Sequence, residues 1–210
     1  RVTFNLLEAA KSQGIGHFLF SSSCAVYGEL KSPVVDEESV CKPESWEGDL
    51  GPPYGILKLA TEKLCLSYHH QFELPVTVFR IEFVFDENEA LPSSKIIENL
   101  RRGENIEVIE GDGYASIYVD DVVQAFLLAT LNGKSYGQVF NLSNPATYIT
   151  YRELYQFLIP YTNSKSEVKL VTEPMHIGRV IESIEKIQRT LGWKPKKTKD
   201  DLIKAIAQSI

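Results

Sequence analysis

The chain has 210 residues, 43% of them hydrophobic, which is enough to bury the core of one large domain or of a domain with a small appendage. Its formal net charge of -6 argues against a nucleic-acid surface, and no apolar run approaches the about 18 residues of a membrane span. Cys24, Cys41 and Cys65 lack Cys-x-x-Cys spacing, which argues against a disulfide framework or a zinc site and favours a reduced, cytoplasmic setting.

Helical and strand-like apolar patterns alternate along the first half of the chain. The spacing predicts a helix over residues 2–13, then a short buried strand over 17–20 that runs into Ser21-Ser22-Ser23. A second helix is predicted from about residue 55 to residue 72, and a second buried strand over 76–81. Helix followed by buried strand, repeated, predicts an α/β protein with a parallel sheet and helices on its faces.

The second half continues with less regular patterns. Helices are predicted from residues 92–93 to 102, over 122–131, from a Thr150 cap to about 158, over 183–191 and from 200, with strands over 106–109, 138–142 and 167–171. The acidic pair Asp120-Asp121 is interpreted as a cap at a helix start rather than as a metal site.

Tyr54 and Lys58 are four residues apart at the start of the long central helix, so their side chains share one helix face. An ammonium one turn away favours the phenolate and makes a tyrosine a usable proton acceptor. Two further Tyr-x-x-x-Lys pairs, Tyr27/Lys31 and Tyr161/Lys165, fall in turns. The alternative for the central pair alone is a helix with a surface lysine.

Ser23 ends the serine run at the carboxyl end of a predicted strand, which is where an open parallel sheet presents its ligands. A serine hydroxyl beside a phenolate can hold a substrate oxygen that gains or loses a proton. Ser23, Tyr54 and Lys58 therefore form a candidate catalytic trio, with a serine-rich turn as the alternative. Cys24 is interpreted as a small buried residue rather than a nucleophile, and His69-His70 as surface residues, so no metal is predicted.

Five ordered segments together resemble one family. These are residues 18–28, Tyr54 to Lys58 with Glu62, residues 76–80, residues 118–122 and residues 191–195. They are similar to the extended short-chain dehydrogenase/reductase family, the NAD-dependent epimerase/dehydratases typified by UDP-glucose 4-epimerase, over essentially the whole chain.

The resemblance implies a fold and a division into domains. Residues 1–82 would be the remaining portion of an NAD(P)-binding Rossmann domain. Residues 83–210 would be mostly a smaller α/β substrate domain, with segments at about 106–142 returning to the Rossmann sheet. It also implies a homodimer through helices 2–13 and 55–72.

The resemblance further implies residue roles. Tyr54 would be the acid/base, Lys58 would hold the nicotinamide ribose, and Ser23 would bind the reacting oxygen. Ser21, Ser22 and Ile81 would line the cofactor, which is expected to be NAD, with NADP left open.

The chain departs from the family pattern at three places. No Gly-x-x-Gly-x-x-Gly occurs in it; the family would place that turn roughly a hundred residues before Arg1, so the sequence is a fragment or the protein has lost this part. Phe83 stands where an asparagine usually holds the substrate diphosphate, and Tyr114 falls where an arginine is common. Arg179 remains as a candidate phosphate contact, with a surface arginine as the equal alternative.

The expected function is that of an NAD-dependent epimerase/dehydratase acting on a nucleotide sugar by transient hydride transfer. One alternative is an NAD(P)-dependent reductase or dehydrogenase of a smaller carbonyl compound, for which Phe83 and Tyr114 would line an apolar pocket. Another is a catalytically silent scaffold or dimerisation fragment that does not bind cofactor.

Overall fold

The computed structural model describes residues 2–28, 34–45, 51–90, 94–171 and 181–210. The helices are α1 Val2–Gln13, α2 Gly51–Phe72, α3 Ser94–Arg102, α4 Val119–Ala129, α5 Tyr151–Thr162, α6 Glu185–Leu191 and α7 Lys199–Gln208. The strands are β1 Phe18–Ser23, β2 Val34–Val35, β3 Val76–Ile81, β4 Phe83–Phe85, β5 Ile106–Ile109, β6 Gly113–Tyr114, β7 Ser116–Tyr118, β8 Gln138–Leu142, β9 Ile149–Thr150, β10 Val168–Val171 and β11 Ile181–Glu182. Among the helices of these residues, none has both the length and the apolar content to cross a bilayer.

The centre of the fold is a parallel sheet of three strands in the order β1-β3-β8. Its register pairs Ser23 with Ile81 and Ile81 with Leu142, so the three carboxyl ends lie at one edge. The predicted α/β class is confirmed. The three serines belong to β1, because they continue its pairing with β3, and they lie at the edge where open sheets of this kind bind ligands.

Helices cover both faces of this sheet. On one face, Leu7 of α1 and Tyr68 of α2 pack with Val78 of β3 in a buried cluster. On the other face, Phe79 of β3 packs with residues of α4 and with Ile187 of α6. Because both sides of β3 are covered in this way, its first five residues are all buried, including the polar Thr77 and Arg80.

The remaining strands pair outside this sheet. Strand β4 pairs with β7, β5 with β10 and β11 with β2, all in parallel, and β6 pairs with β9 in antiparallel. Helices α3, α5 and α7 enclose a separate apolar cluster that includes Leu100, Leu154 and Leu202. Of the segment predicted to return to the central sheet, β8 joins it and α4 packs on its face, whereas β5 pairs with β10. The proposed division after residue 82 stays a prediction.

Two helices begin earlier than the sequence predicts. Helix α2 begins at Gly51 rather than near residue 55, so Tyr54 lies inside its first turn. Helix α4 begins at Val119 rather than Val122, and its N-cap residue, Tyr118, makes no side-chain capping bond. The predicted acidic cap at Asp120-Asp121 is therefore wrong. The predicted cap at Thr150 is confirmed, since its hydroxyl accepts a hydrogen bond from the backbone N–H of Glu153. The predicted start of α3 at residues 92–93 lies outside the described residues.

The first turn of α4 holds the C-terminal segment instead. The buried Asp121 accepts a hydrogen bond at Oδ2 from the backbone N–H of Lys196, at 3.0 Å. Its carbonyl oxygen accepts another from Nε1 of Trp193, at 2.9 Å. Two bonds from one residue thus fix the chain that follows α6 against the start of α4.

Candidate active site

The serine run ends at the carboxyl edge of the central sheet, and its three side chains have different surroundings. Ser21 is exposed, Ser22 is buried and Ser23 is half-buried. The Ser23 Oγ accepts a hydrogen bond from the backbone N–H of Ala25 at 3.2 Å, and Ser23 is the N-cap of a 3-10 helix over Cys24–Tyr27. This cap fixes the serine at the end of β1 and turns the chain away from the sheet.

The predicted pair on α2 lies against this strand end. Lys58 Nζ donates a hydrogen bond to the carbonyl oxygen of Ser21 at 2.8 Å. The same nitrogen is 5.5 Å from the centroid of the Tyr54 ring and 5.6 Å from that of the Phe20 ring, within the range of cation–π attraction. The ammonium is therefore held between the tyrosine and β1, as the sequence spacing predicted for a shared helix face.

A glycine brings α2 close to the turn after Ser23. A Cβ at Gly55 would meet the carbonyl oxygen of Ala25 at 2.5 Å and Cβ of Pro43 at 2.9 Å. Backbone contacts of this kind leave no room for a side chain. Ser23 lies between two residues, Ser21 and Ala25, that both contact α2. The described structure thus gathers Ser23, Tyr54 and Lys58 at one end of the sheet.

The substitution Gly55→Ala is expected to lower the free energy of unfolding by about 1–3 kcal/mol, because the new methyl group must push α2 away from a backbone carbonyl. The gain in helix propensity, about 1 kcal/mol, is too small to offset this. Urea unfolding followed by circular dichroism measures the change. Gly133→Ala is the matched control, since a Cβ there meets nothing within 4 Å. Equal stability of the two variants would contradict the close packing described above.

A buried polar network lies behind the serines. Ser22 Oγ donates a hydrogen bond to Glu62 Oε1 at 2.6 Å. Arg80 Nη2 and Nε donate to the Glu62 carboxylate, with Nη2 at 2.9 Å from Oε2, and the two side chains are only 3% and 0% exposed. Arg80 Nη1 also donates to the hydroxyl of Tyr27 at 3.0 Å, and that hydroxyl donates to Oδ1 of Asn141 at 2.7 Å. The network joins β1, α2, β3 and β8 at the level of the site.

Burial and the neighbouring charges together set the protonation states of Arg80 and Tyr27 in this network. Burial lowers the pKa of the Arg80 guanidinium, but the Glu62 carboxylate more than offsets this and the pKa is raised overall. Burial raises the pKa of the Tyr27 hydroxyl, against the opposing effect of Arg80. Arg80 thus remains a cation and Tyr27 remains a neutral donor. The links from Glu62 to Arg80 and Tyr27 were not predicted, although Tyr54, Lys58 and Glu62 are spaced one turn apart on α2 and therefore share one helix face.

Phe83 and Tyr114, the two aromatic residues at the positions where the sequence resemblance implies phosphate contacts, lie against each other. The rings of Phe83 and Tyr114 lie edge to face with centroids 5.9 Å apart, and Tyr151 lies 5.9 Å from Tyr114. The buried Tyr114 hydroxyl has no hydrogen-bond partner in the described part of the chain, and burial raises its pKa. This surface is apolar and aromatic, and neither ring could replace a phosphate-binding arginine.

The other predicted site residues have simpler placements. The Ser22 hydroxyl is directed toward Glu62, and its predicted place at the cofactor stays a prediction. Ile81 ends β3 beside Ser23 and packs against the cluster on the α4 face, at the edge where a cofactor was predicted. Arg179, the remaining phosphate candidate, lies outside the described residues.

A parallel sheet covered by helices on both faces, with a serine at its carboxyl edge and a Tyr-x-x-x-Lys pair on the adjoining helix, defines a Rossmann-type α/β protein. Comparison with known proteins agrees with this class. A model of the NAD dependent epimerase/dehydratase family matches residues 1–143. The chain belongs to this family, so the resemblance inferred from the sequence is confirmed.

Individual relatives share the match over almost the whole chain. GDP-mannose 3,5-epimerase of Arabidopsis thaliana is 22% identical over 204 residues, covering 92% of this chain and 53% of the relative. dTDP-D-glucose 4,6-dehydratase of Mus musculus is 30% identical over 209 residues, covering 92% of this chain and 55% of the relative. The crystal structure of UDP-glucose 4-epimerase from Thermotoga maritima with UDP-glucose has a TM-score of 0.74 and 27% identity, covering 99% of this chain and 67% of that one. The chain spans about half the length of the curated relatives it matches.

Proposed function

We propose that the protein containing this chain is an NAD-dependent epimerase or dehydratase that acts on a nucleotide sugar through transient hydride transfer. The observation that carries the proposal is the position of Lys58 Nζ, which is bonded to the Ser21 carbonyl and lies beside the Tyr54 ring at the carboxyl edge of the sheet. Relatives named as nucleotide-sugar epimerases and dehydratases support the substrate class.

Each residue of the trio has a chemical role in this proposal. Tyr54, whose ring lies beside the Lys58 ammonium, is the acid/base that accepts the proton of a sugar hydroxyl and later returns it. Lys58 holds the nicotinamide ribose. Ser23 donates a hydrogen bond to the reacting oxygen and orients it toward Tyr54. Bound NAD would supply the reversible hydride acceptor.

The residues present fit one end of that cofactor. Lys58 is directed to the carboxyl edge of the sheet, with Ser21 and Ile81 on the neighbouring strand ends, which suits the nicotinamide ribose. The 210 residues contain no glycine-rich turn for the pyrophosphate. We therefore assign the nicotinamide end of the site to this chain.

An assay of the full-length protein tests the proposal. The protein and NAD would be incubated with UDP-, dTDP- and GDP-hexoses. The products would be separated by chromatography and their masses measured by mass spectrometry. An epimer of unchanged mass indicates epimerisation, and the loss of one water indicates dehydration, each without net NADH formation. A folded protein that binds neither NAD nor any sugar nucleotide would overturn the proposal and favour the silent scaffold.

A second candidate is a reductase of a smaller carbonyl compound, and the aromatic contact between Phe83 and Tyr114 favours it. An apolar surface at positions that hold phosphate in related enzymes would suit a substrate without a diphosphate. The two candidates differ in whether the reaction consumes the nicotinamide cofactor. A reductase consumes one NAD(P)H for each product, so a steady loss of NADH absorbance with a simple ketone or aldehyde identifies it.

The proposal includes a homodimer through α1 and α2. Large apolar side chains are exposed on both helices, among them Leu6 at 54% and Leu57 at 67%. Neighbouring exposed apolar residues of this size commonly mark an interface, and two helices from each subunit would pack as a four-helix bundle.

Leu57→Glu is expected to convert the dimer to a monomer in sedimentation velocity at micromolar concentration, because it places a charge in the apolar interface. Leu127→Glu on α4 is the control, since Leu127 is equally exposed, at 69%, but lies on the opposite face of the sheet. A dimer that survives Leu57→Glu, or a wild-type protein that is monomeric, would refute the interface.

We also propose that the protein works in a reduced compartment such as the cytoplasm. Its three cysteines, Cys24, Cys41 and Cys65, are free thiols in the structure, and two of them are buried. Proteins that are folded in oxidising compartments more often pair their cysteines. Peptide mass spectrometry of the protein, purified with an alkylating agent present, is expected to find Cys24, Cys41 and Cys65 alkylated rather than disulfide-bonded.

A further inference from the structure

Three potential metal ligands converge at the carboxyl edge of the central sheet, next to Ser23. The ligand atoms of Cys24, Glu82 and Glu182, one sulfur and one carboxylate oxygen from each glutamate, all lie within 4.8 Å of one another. Cys24 opens the 3-10 helix after β1, Glu82 lies between β3 and β4, and Glu182 ends β11. Segments far apart in the chain therefore supply the cluster.

Two buried oxygen atoms at this cluster are left without hydrogen bonds. Oε2 of Glu182 and Oγ of Ser143 have no hydrogen-bond partner among the described residues, although the two residues are only 7% and 0% exposed. Ser143 directly follows Leu142 of β8, whose carbonyl oxygen accepts a hydrogen bond from the backbone N–H of Glu82 at 2.9 Å. Unpaired oxygens in such places are costly unless an unseen partner satisfies them.

The cluster has no paired cation among the described residues. Cys24 and Glu182 are buried and Glu82 is half-buried. The Cys24 thiol donates a hydrogen bond to the carbonyl oxygen of Arg80 at 3.4 Å, and Glu82 Oε1 accepts one from the backbone N–H of Phe83 at 3.1 Å. The Arg80 guanidinium is bonded to Glu62 and Tyr27. A metal ion that displaces the thiol proton would supply the positive charge that the two carboxylates lack.

We propose that Cys24, Glu82 and Glu182 bind one divalent transition-metal ion of the zinc class, with Ser143 Oγ or a water at the fourth position. Zinc accepts thiolate and carboxylate ligands at about 2.3 and 2.0–2.2 Å, which places any two ligand atoms within about 4.5 Å of each other. The observed separations are within 4.8 Å, so small side-chain movements suffice. The thiolate excludes magnesium and calcium, which prefer oxygen ligands alone.

The ion would tie β11 to the sheet edge. Glu182 belongs to β11, whereas Cys24 and Glu82 follow β1 and β3, so one ion would cross-link three segments beside Ser23. No metal was predicted from the sequence because the cysteines lack ligand spacing, whereas the fold brings one cysteine together with two distant glutamates. The inference does not depend on the proposed catalytic function.

Titration of the chelator-treated protein with Co²⁺ tests the site, because a cobalt–thiolate bond gives a charge-transfer band in the near ultraviolet. The wild-type protein is expected to bind one equivalent with this band, and Zn²⁺ is expected to displace it and to raise the Tm. Cys24→Ser is expected to remove the band. Cys65→Ser is the matched control. Cys65 is also buried, but it lies on α2 and packs against α1, so this variant should keep the band.

Glu182→Gln keeps the shape of the side chain and is expected to weaken Co²⁺ binding at least about tenfold, since one anionic ligand is lost. Circular dichroism verifies that each variant is folded. A wild-type protein that binds no Co²⁺, or a band that persists in Cys24→Ser, would overturn the proposal. If the wild type binds no metal and Glu182→Gln is more stable than the wild type, the proposal is also overturned. A proton shared between the two glutamates would then explain the cluster.

Discussion

Replacing Tyr54 with phenylalanine is expected to lower the turnover of the full-length protein by about 100- to 10,000-fold while leaving its affinity for NAD nearly unchanged. General acid–base groups contribute rate factors of this size, and the phenyl ring retains the contact with Lys58 but cannot carry the proton. Steady-state kinetics with the identified sugar nucleotide measures turnover, and fluorescence titration measures cofactor binding.

The chain offers a matched control for this substitution. Tyr161 and Lys165 have the same spacing, but Tyr161 is 53% exposed at the end of α5, far from the central sheet. Tyr161→Phe should therefore leave turnover unchanged. Wild-type rates in Tyr54→Phe would remove this residue from the mechanism, and an equal loss in both variants would indicate a general effect on folding.

Glu62→Gln is expected to lower the free energy of unfolding by about 3–5 kcal/mol, because it leaves the buried Arg80 guanidinium without its counter-charge. The loss is large because the side chains of both residues are almost wholly excluded from water. Urea unfolding followed by circular dichroism gives the difference. Turnover should fall as well, since the same carboxylate accepts the hydrogen bond of Ser22 in the strand that carries Ser23.

An exposed ion pair supplies the comparison for Glu62→Gln. Glu98 pairs with Arg102 one turn later on α3, where both side chains are more than half exposed, so Glu98→Gln should cost no more than about 0.5 kcal/mol. The double variant of Glu62→Gln with Arg80→Met should lose less than the sum of the two single variants, since it removes both charges. Strictly additive losses would show that the pair is not energetically linked.

Local patterns predicted the elements that flank the site. The bounds of α1 and β3 are those that apolar spacing predicts, and the Thr150 cap was found from residue type and position. The Tyr54–Lys58 face also follows from spacing alone, because residues four apart in a helix must be neighbours. These features depend on residues that are close in sequence, so a single sequence is enough to predict them.

Contacts between distant segments were not predictable in this way. The acidic pair Asp120-Asp121 was interpreted as a cap, but it lies in the first turn of α4, and the carboxylate of Asp121 is bonded to the backbone N–H of Lys196, 75 positions away. The link from Glu62 to Arg80 and on to Tyr27 joins a helix, a strand and a turn. Strands of two residues, such as β2 and β11, carry too few residues for an alternating pattern to be recognised.

The docking of Trp193 on Asp121 makes the chain its own optical reporter. The indole is 1% exposed and bonded to a backbone carbonyl, so its emission should be blue-shifted while the segment after α6 stays in place and should move to longer wavelengths when it detaches. The only other tryptophan is Trp46. In a Trp46→Phe background, the emission wavelength would therefore follow the release of the C-terminal segment separately from the loss of helix seen by circular dichroism.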